Sequence, residues 1–190
     1  PAGPADAAKA PAVAKQLVRG RNLFFDKARC NSCHVGDNFT DNQFHNVALA
    51  QFGPGKGNGA TGRDDFGRMN VTGLAADAYR FRTTPLRNVE LTGPYGHDGA
   101  FIQLRGFIDH YSNSEIKLRT FDVNELEQLL RPTLVSNADA IMATRDTILS
   151  GVVLSETIID QLTTFMGALT DPRARNLRST VPQRVPSGLG

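Results

Sequence analysis

The chain has 190 residues but only two cysteines, three methionines, four histidines and no tryptophan. Two cysteines cannot build the multi-bridge framework of a small secreted scaffold. A structural zinc site needs two further Cys or His ligands at paired spacing, and the sequence has no second CxxC and no HxxxH. A redox dithiol of the thioredoxin type would sit beside a βαβ pattern, and that pattern is missing. No run approaches the roughly 18 apolar residues of a membrane helix, so no membrane span is expected. The amino terminus also lacks the basic, apolar, small-residue order of a secretion signal, so the chain is expected to be soluble and either processed or truncated. A formal charge of +2 calls for neither nucleic acid nor an anionic membrane. Arg173, Arg175, Arg178 and Arg184 gather near the end without interleaved aromatic residues, which reads as a solvated tail. Alternating strand patterns and internal repeats are absent as well, so the expected class is mainly α.

What is present suffices for one globular unit, since 40% of the residues are hydrophobic. Residues 1–14 are rich in Ala and Pro and read as a linker or frayed arm. Val13, Leu17, Val18, Leu23 and Phe24 recur at helical spacing, predicting a first helix over 13–25 that contains Gly20 and ends before the cysteine pair. Residues 36–76 read as a long irregular loop with GPGKGNGATG at its centre. Gly57, Gly59 and Gly62 match GxGxxG, but no strand precedes them. Lys56 is followed by Gly57 rather than by Ser or Thr, so neither phosphate-binding reading holds. Asn38 and Asn70 begin Asn-x-Thr sequons, which matter only in a source that glycosylates secreted proteins. Leu104, Phe107, Ile108 and Tyr111 form an i, i+3, i+4, i+7 stripe that predicts a helix over 101–111. Further helices are predicted over 123–130, stopped by Pro132, and over 138–149. The last helix starts at the N-cap Ser155, carries Ile158, Ile159, Leu162, Phe165, Met166 and Leu169, and closes at Asp171-Pro172. Residues 15–172 then form the domain and 173–190 a carboxy-terminal tail.

The strongest chemical signal is Cys30-Asn31-Ser32-Cys33-His34, a CxxCH pentapeptide. Thiols two residues apart reach both vinyl groups of one porphyrin, and the adjacent His lies beneath the iron. The expectation is one covalently attached haem c, with His34 as proximal ligand, in a cytochrome c-like haem domain with long loops. Candidates for the opposite side of the iron are Met69, Met142, Met166, His45, His97, His110 and Tyr111. Spacing alone does not choose among them.

A more specific pattern is Phe81-Arg82-Thr83-Thr84-Pro85-Leu86-Arg87-Asn88-Val89-Glu90-Leu91-Thr92-Gly93-Pro94-Tyr95-Gly96-His97-Asp98-Gly99. With Phe39-Thr40-Asp41-Asn42, Phe44-His45-Asn46-Val47, Asp65-Phe66-Gly67-Arg68, Val71-Thr72-Gly73 and the closing Ala168-Leu169-Thr170-Asp171-Pro172, it closely resembles the bacterial dihaem cytochrome c peroxidase family, including its MauG-like branch. The resemblance covers most of residues 17–172. It implies the carboxy-terminal, electron-transfer haem domain, which passes electrons to or from a peroxidatic haem outside this chain, where hydrogen peroxide would be reduced. The second CxxCH is absent, so a second haem domain or haem subunit is the implied partner, with a small soluble electron donor. By position, the residue fourteen after His97 is the family's distal ligand, Met in the simple peroxidases and Tyr in the MauG-like branch; here it is Tyr111. A hard phenol oxygen favours oxidised iron and lowers the potential relative to a soft thioether. His110 is the reserve. The resemblance further implies calcium held by the backbone carbonyls of Thr92 and Pro94, its third protein ligand lying outside this chain. Tyr95 and His97 are expected near the haem or a domain interface. Residues 112–153 form an extended helical insertion, expected to serve as a partner or homodimer surface. The implied location is periplasmic or otherwise outside the cytoplasm. The alternative is a stand-alone monohaem electron carrier, and a third reading makes this haem itself react with peroxide.

Overall fold

The computed structural model describes residues 4–178, with side chains described from residue 11 onward. Helix α1 (Pro4–Phe25) begins well before the expected start, so the segment read as a linker is helical from Pro4, and only residues 1–3 of it lie outside the description. Alanine, the strongest helix former, supplies much of that first half. Its inward face is narrower than the sequence stripe suggests: Gly20 and Phe24 are buried, while Val13 and Val18 face solvent. Helix α6 (Glu156–Gly167) starts where the sequence places it, the Ser155 hydroxyl accepting from the Ile158 N–H at 3.4 Å. It buries Ile159, Leu162, Phe165 and Met166 along one face, the i, i+3, i+6, i+7 stripe of an amphipathic helix.

The two helices touch at Gly20. A Cβ there would stand 1.9 Å from the Gln161 carbonyl oxygen and 2.9 Å from the Phe165 Cβ, so only a residue without a side chain permits this approach. Around the contact lies the main core, where Phe24 meets Phe165 at 5.3 Å and Phe39 at 5.8 Å between ring centroids. Fully burying a side chain of this size stabilises a fold by roughly 1.5–3 kcal/mol. Helix α3 (Leu104–His110) completes this core through Leu104 and Ile108. It is shorter than expected because Phe101 pairs with Tyr95 in an isolated antiparallel bridge.

Other differences have local causes. Strands β1 (Phe44–His45) and β2 (Phe81–Arg82) pair antiparallel over only two residues each, too short for a period of two to show in the sequence. The predicted helix over 123–130 is a single 3-10 turn, Val123–Glu125, capped by Asp122, and Pro132 sits inside a second such turn, Arg131–Thr133. Helix α2 (Met69–Thr72) and helix α4 (Ser114–Arg119) went unforeseen, and helix α5 (Ala138–Ala143) stops six residues early. Tertiary hydrogen bonds end α5: the Thr144 hydroxyl donates to the Ala78 carbonyl at 2.7 Å, and the Asp146 N–H donates to the Asn46 carbonyl at 3.0 Å. The glycine-rich loop closes on itself, the Lys56 and Asn58 N–H groups both donating to the Asp64 carbonyl.

Much of segment 112–153, expected as a partner surface, faces inward. Leu118 and Ile141 join Ala48 and Tyr79 in a second core, Leu126 joins Phe52 and Ala100 in a third, and Val152 reaches the main one. Of the basic tail, Arg173 pairs with Asp171 and Arg175 with Glu90, and Arg184 lies outside the described residues. No helix among the described residues is long and apolar enough to cross a membrane.

Two predictions follow from this packing. Gly20→Ala gains helix propensity of up to about 1 kcal/mol, yet overpacking against fixed backbone costs about 1–3 kcal/mol or more. A net destabilisation of about 1–2 kcal/mol is expected, lowering Tm by roughly 3–8 °C in calorimetry; an unchanged Tm would mean the helices part freely. The second concerns His110, which is 3% exposed. Burial, aided by Lys117, pushes its pKa down to about 4, and the Val47 carbonyl 2.9 Å from its Nε2 only partly opposes this. Because the folded value lies below that of the unfolded chain, the unfolded state binds the extra proton between about pH 6.5 and 4. Stability is therefore retained above pH 6.5 and falls by about 3 kcal/mol toward pH 4. Urea titrations of His110→Gln across that window are expected to show a flatter profile than the wild type.

Candidate functional site

After α1 the chain turns through Arg29, which adopts a left-handed conformation, into a 3-10 turn at Cys30–Ser32. The His34 N–H donates to the Cys30 carbonyl at 2.9 Å, so the pentapeptide winds tightly and both thiols lie near each other. They are free thiols rather than a disulfide. Burial first, then the neighbouring thiol, pushes Cys30 up to about 12; burial first, then Asp41 and Asp146, pushes Cys33 up to about 11. A thioredoxin-type dithiol needs a lowered thiol pKa to present a thiolate, so this pair is unsuited to disulfide exchange.

His34 has a defined orientation. Its Nδ1 lies 2.8 Å from the Phe39 carbonyl, which can only accept, so Nδ1 carries the proton and Nε2 keeps its lone pair. Burial lowers its pKa against the pull of that carbonyl and of Asp41, favouring the neutral, ligating imidazole. Phe24, 6.5 Å away between ring centroids, and Phe39 form its apolar wall.

Tyr111 caps α3 and packs into the same core as Cys30, 5.3 Å from Phe107. Burial and then the proximity of Cys30 and Cys33 push its phenol pKa upward. Its hydroxyl has no hydrogen-bond partner among the described residues, unlike Tyr79, which donates to Asp64 at 2.7 Å, and Tyr95, which donates to the Val89 carbonyl at 3.0 Å. Several other distal candidates are occupied elsewhere, whereas Met166 shares the main core and His45 lies beside Cys33. His110, its Nε2 facing the Val47 carbonyl, packs beside Phe101. Met69 and Met142 line the second core with Ile141. His97 stacks on Phe81 at 3.5 Å and bonds Asp65 at 2.9 Å. Met166 belongs to the main core, as the α6 stripe requires. Thus the structure gathers Cys30, Cys33, His34 and Tyr111, and disperses most of the alternatives.

This donor set fits a haem. Two thiols in one turn, an imidazole with a free Nε2, and a half-buried phenol without a partner among the described residues lie about an apolar region walled by Phe24, Phe39 and Ile108. A cleft of about 570 Å³, of the size small-molecule sites occupy, opens beside the turn between Lys27, Arg29, Val152 and Ile158. Thr92 and Pro94 are exposed, and their carbonyls accept no hydrogen bond from any described residue.

Sequence reasoning missed one constellation. His45 Nε2 lies 2.9 Å from an Asp41 carboxylate oxygen and its Nδ1 lies 2.8 Å from Asp146, which Arg80 also contacts at 3.2 Å. Cys33 Sγ, one Asp41 oxygen and one His45 ring nitrogen all lie within 4.8 Å of one another. The i, i+4 spacing of Asp41 and His45 was a readable signal. Asp146, about a hundred residues away, gave none.

No protein-family profile matches the chain. Among characterised proteins, it is 32% identical over 124 residues to the methylamine utilization protein MauG of Methylorubrum extorquens, covering 62% of this chain and 33% of that protein. It is 33% identical over 105 residues to the cytochrome c551 peroxidase of Pseudomonas aeruginosa, covering 55% of this chain and 29% of the relative. Among solved structures, a MauG-like protein associated with microbial copper homeostasis superposes with a TM-score of 0.61 at 26% identity, over 83% of this chain and 47% of the other. The dihaem peroxidase BthA of Burkholderia thailandensis shares the fold, with a TM-score of 0.58 at 18% identity, over 96% of this chain and 46% of the other. The chain spans about a third of the length of the characterised relatives it matches. Its fold is that of a cytochrome c-like haem domain, and over the matched residues the chain is similar to MauG proteins and dihaem cytochrome c peroxidases.

Proposed function

We propose that this chain is a c-type haem electron-transfer domain that passes electrons to or from a peroxidatic haem outside it. The observation that carries the reading is that Tyr111 and Cys30 pack in one apolar core, with Cys33 close to the phenol and His34, its Nδ1 held by Phe39, against the core residue Phe24. Cys30 and Cys33 would anchor the macrocycle through two thioether bonds. His34 Nε2 would bind one side of the iron, and the unpartnered Tyr111 oxygen the other. When bound, the haem supplies a one-electron couple. The protein's contribution is positional: Phe39 fixes the imidazole tautomer and orientation. The surrounding phenylalanines exclude water, and Tyr111 supplies a hard oxygen that favours the oxidised metal.

Hydrogen peroxide reduction belongs, in this reading, to the second haem domain or haem subunit, with a small soluble protein exchanging electrons with this one. The exposed Thr92 and Pro94 carbonyls support a calcium site completed by a ligand from that partner, since carbonyl oxygens suit a hard cation. They also favour the paired domain over a stand-alone carrier, which has no use for an unfinished cation site. Covalent attachment of haem through Cys30 and Cys33 would put the protein in the periplasm or otherwise outside the cytoplasm.

Intact mass of the native complex, with haem counted before and after denaturation, tests attachment and partnership together. One haem is expected to stay on this chain through denaturation, and Cys30→Ala/Cys33→Ala is expected to lose it entirely under the same treatment. Retention by the double variant, or a lone chain with no haem partner, would overturn the reading. Distal ligation has its own readout: Tyr111→Phe is expected to change the ligand-sensitive absorption bands. Tyr111→Met is expected to raise the midpoint potential by on the order of 0.1 V, within the roughly 0.8 V that axial ligands span. Spectra and potentials matching the wild type in both variants would remove Tyr111 from the iron.

A further inference from the structure

The cations that flank the CxxCH turn lack the carboxylate partners that Arg105, Arg119 and Arg173 have. Before the turn, Lys27 and Arg29 are exposed, and the Arg29 guanidinium donates to the carbonyls of Ile148 and Ser150 at 3.1 and 3.2 Å. After it, Arg87 donates to the Asp37 carbonyl at 2.8 Å and to the Asn38 amide oxygen, and Arg82 donates to the Asn42 amide oxygen at 2.6 Å. Arg145 reaches the same turn as Arg29, donating to the Ser150 hydroxyl at 3.0 Å. All of these acceptors are neutral, so among the described residues the charges stay unpaired. The exposed carboxylates Asp26 and Asp37 form no ion pair among the described residues either. Even with the half-buried Asp41 and Asp146 set against Arg80, cations outnumber carboxylates around the turn. The same surface has an apolar centre. Phe25 and Val35 are 44% and 43% exposed on either side of the turn, and the cleft of about 570 Å³ runs between Lys27, Arg29 and the apolar Val152, Val153 and Ile158.

We propose that this basic face is the docking site of a small redox protein whose own surface is acidic. The inference rests on the electron-transfer reading proposed above and names the partner's chemistry. Cys33 is half-buried, so a thioether there would bring an edge of the macrocycle to this surface. Electron exchange between proteins falls steeply with distance, which obliges the partner to seat itself at the turn. Lys and Arg are cations across the physiological pH range. Unpaired, they steer an acidic surface into place and repel a basic one. An apolar centre within a polar rim suits a protein contact, and redox encounters need only a small one. Nucleic acid is disfavoured, because the one exposed aromatic residue beside the turn, Phe25, has the Arg21 guanidinium 5.4 Å from its ring centroid in place of a stacked base.

The test is the second-order rate at which the reduced, haem-loaded chain passes one electron to the copper of an acidic plastocyanin or to the iron of a basic monohaem cytochrome c. Each rate is followed by stopped flow at several ionic strengths. The acidic probe is expected to react faster at low salt and to slow as salt rises, and the basic probe to show the opposite trend. Lys27→Glu/Arg87→Glu is expected to slow the acidic probe by about tenfold at low salt. Lys56→Glu/Arg63→Glu, in the glycine-rich loop, changes the net charge equally and is expected to stay within about twofold of wild type. Should the first double variant lose the wild-type spectrum, Lys27→Glu alone, at a side chain without a hydrogen bond to the described residues, is expected to slow the acidic probe by about threefold. Equal slowing by both double variants, rates indifferent to salt, or a basic probe favoured at low salt would overturn the docking face. Binding to phosphatidylglycerol vesicles that Lys27→Glu/Arg87→Glu abolishes, with the rate toward the acidic protein unchanged, assigns the face to a membrane instead. A wild-type chain that carries no covalent haem, or exchanges electrons with neither probe, removes the underlying reading, so the two failures are distinguishable.

Discussion

The close approach of α1 and α6 at Gly20 sets the position of nearly everything that bears on the site. With no side chain at Gly20, the Gln161 backbone comes within what would be 1.9 Å of a Cβ, and the Phe24 and Phe165 rings are brought into tilted contact. Phe24 in turn touches Phe39 and flanks His34. The CxxCH turn leaves α1 only a few residues after Phe24, so the helix crossing fixes where the thiols and the imidazole sit. Widening that crossing would move the apolar wall and the donors together, because interiors packed at native density transmit displacements rather than absorb them.

Onto this frame the chain adds an electrostatic layer that the apolar core cannot provide. The donors themselves are kept neutral: burial holds both thiols protonated, His34 uncharged and Tyr111 as a phenol. Charged groups are placed just outside, where Asp41 and Asp146 flank the His45 ring and Arg80 pairs with Asp146. Such a division follows from the cost of burying unpaired charge. In the proposed haem-bound state, it would let these groups meet an apolar macrocycle without carrying ions into the interior.

How much of this was legible in the sequence depends on how far apart the cooperating residues are. The CxxCH pentapeptide is local, and its spacing alone named Cys30, Cys33 and His34, which the structure brings together. The Ser155 cap and the stripe through Ile159, Leu162 and Met166 are local too, and α6 starts where they place it. The early end of α5 was invisible because it depends on Thr144 reaching Ala78 and Asp146 reaching Asn46 across the fold. The predicted helix over 123–130 failed for a related reason: its apolar residues serve a third core as single contacts, and Asp122 caps a lone 3-10 turn instead. Val13 and Val18 misled in the other direction, since a helical stripe does not say which of its members meet a partner helix.

Segment 112–153 shows most plainly why distance in sequence conceals function. Read along the chain it is an extended helical insertion, expected to serve as a partner or homodimer surface. In the fold, Leu118 and Ile141 close the second core, and the turn after α5 carries Asp146 to the far side of His45. The same backbone bonds that end α5 orient that carboxylate, because the Asp146 N–H and the Asn46 carbonyl are joined and the Asn46 side chain donates to Ile141 and Thr144. Packing and electrostatics therefore share one set of residues. A change that loosens the second core should reach His45 without touching it, and the effect would travel through Asn46, which is 1% exposed and has no freedom to absorb it.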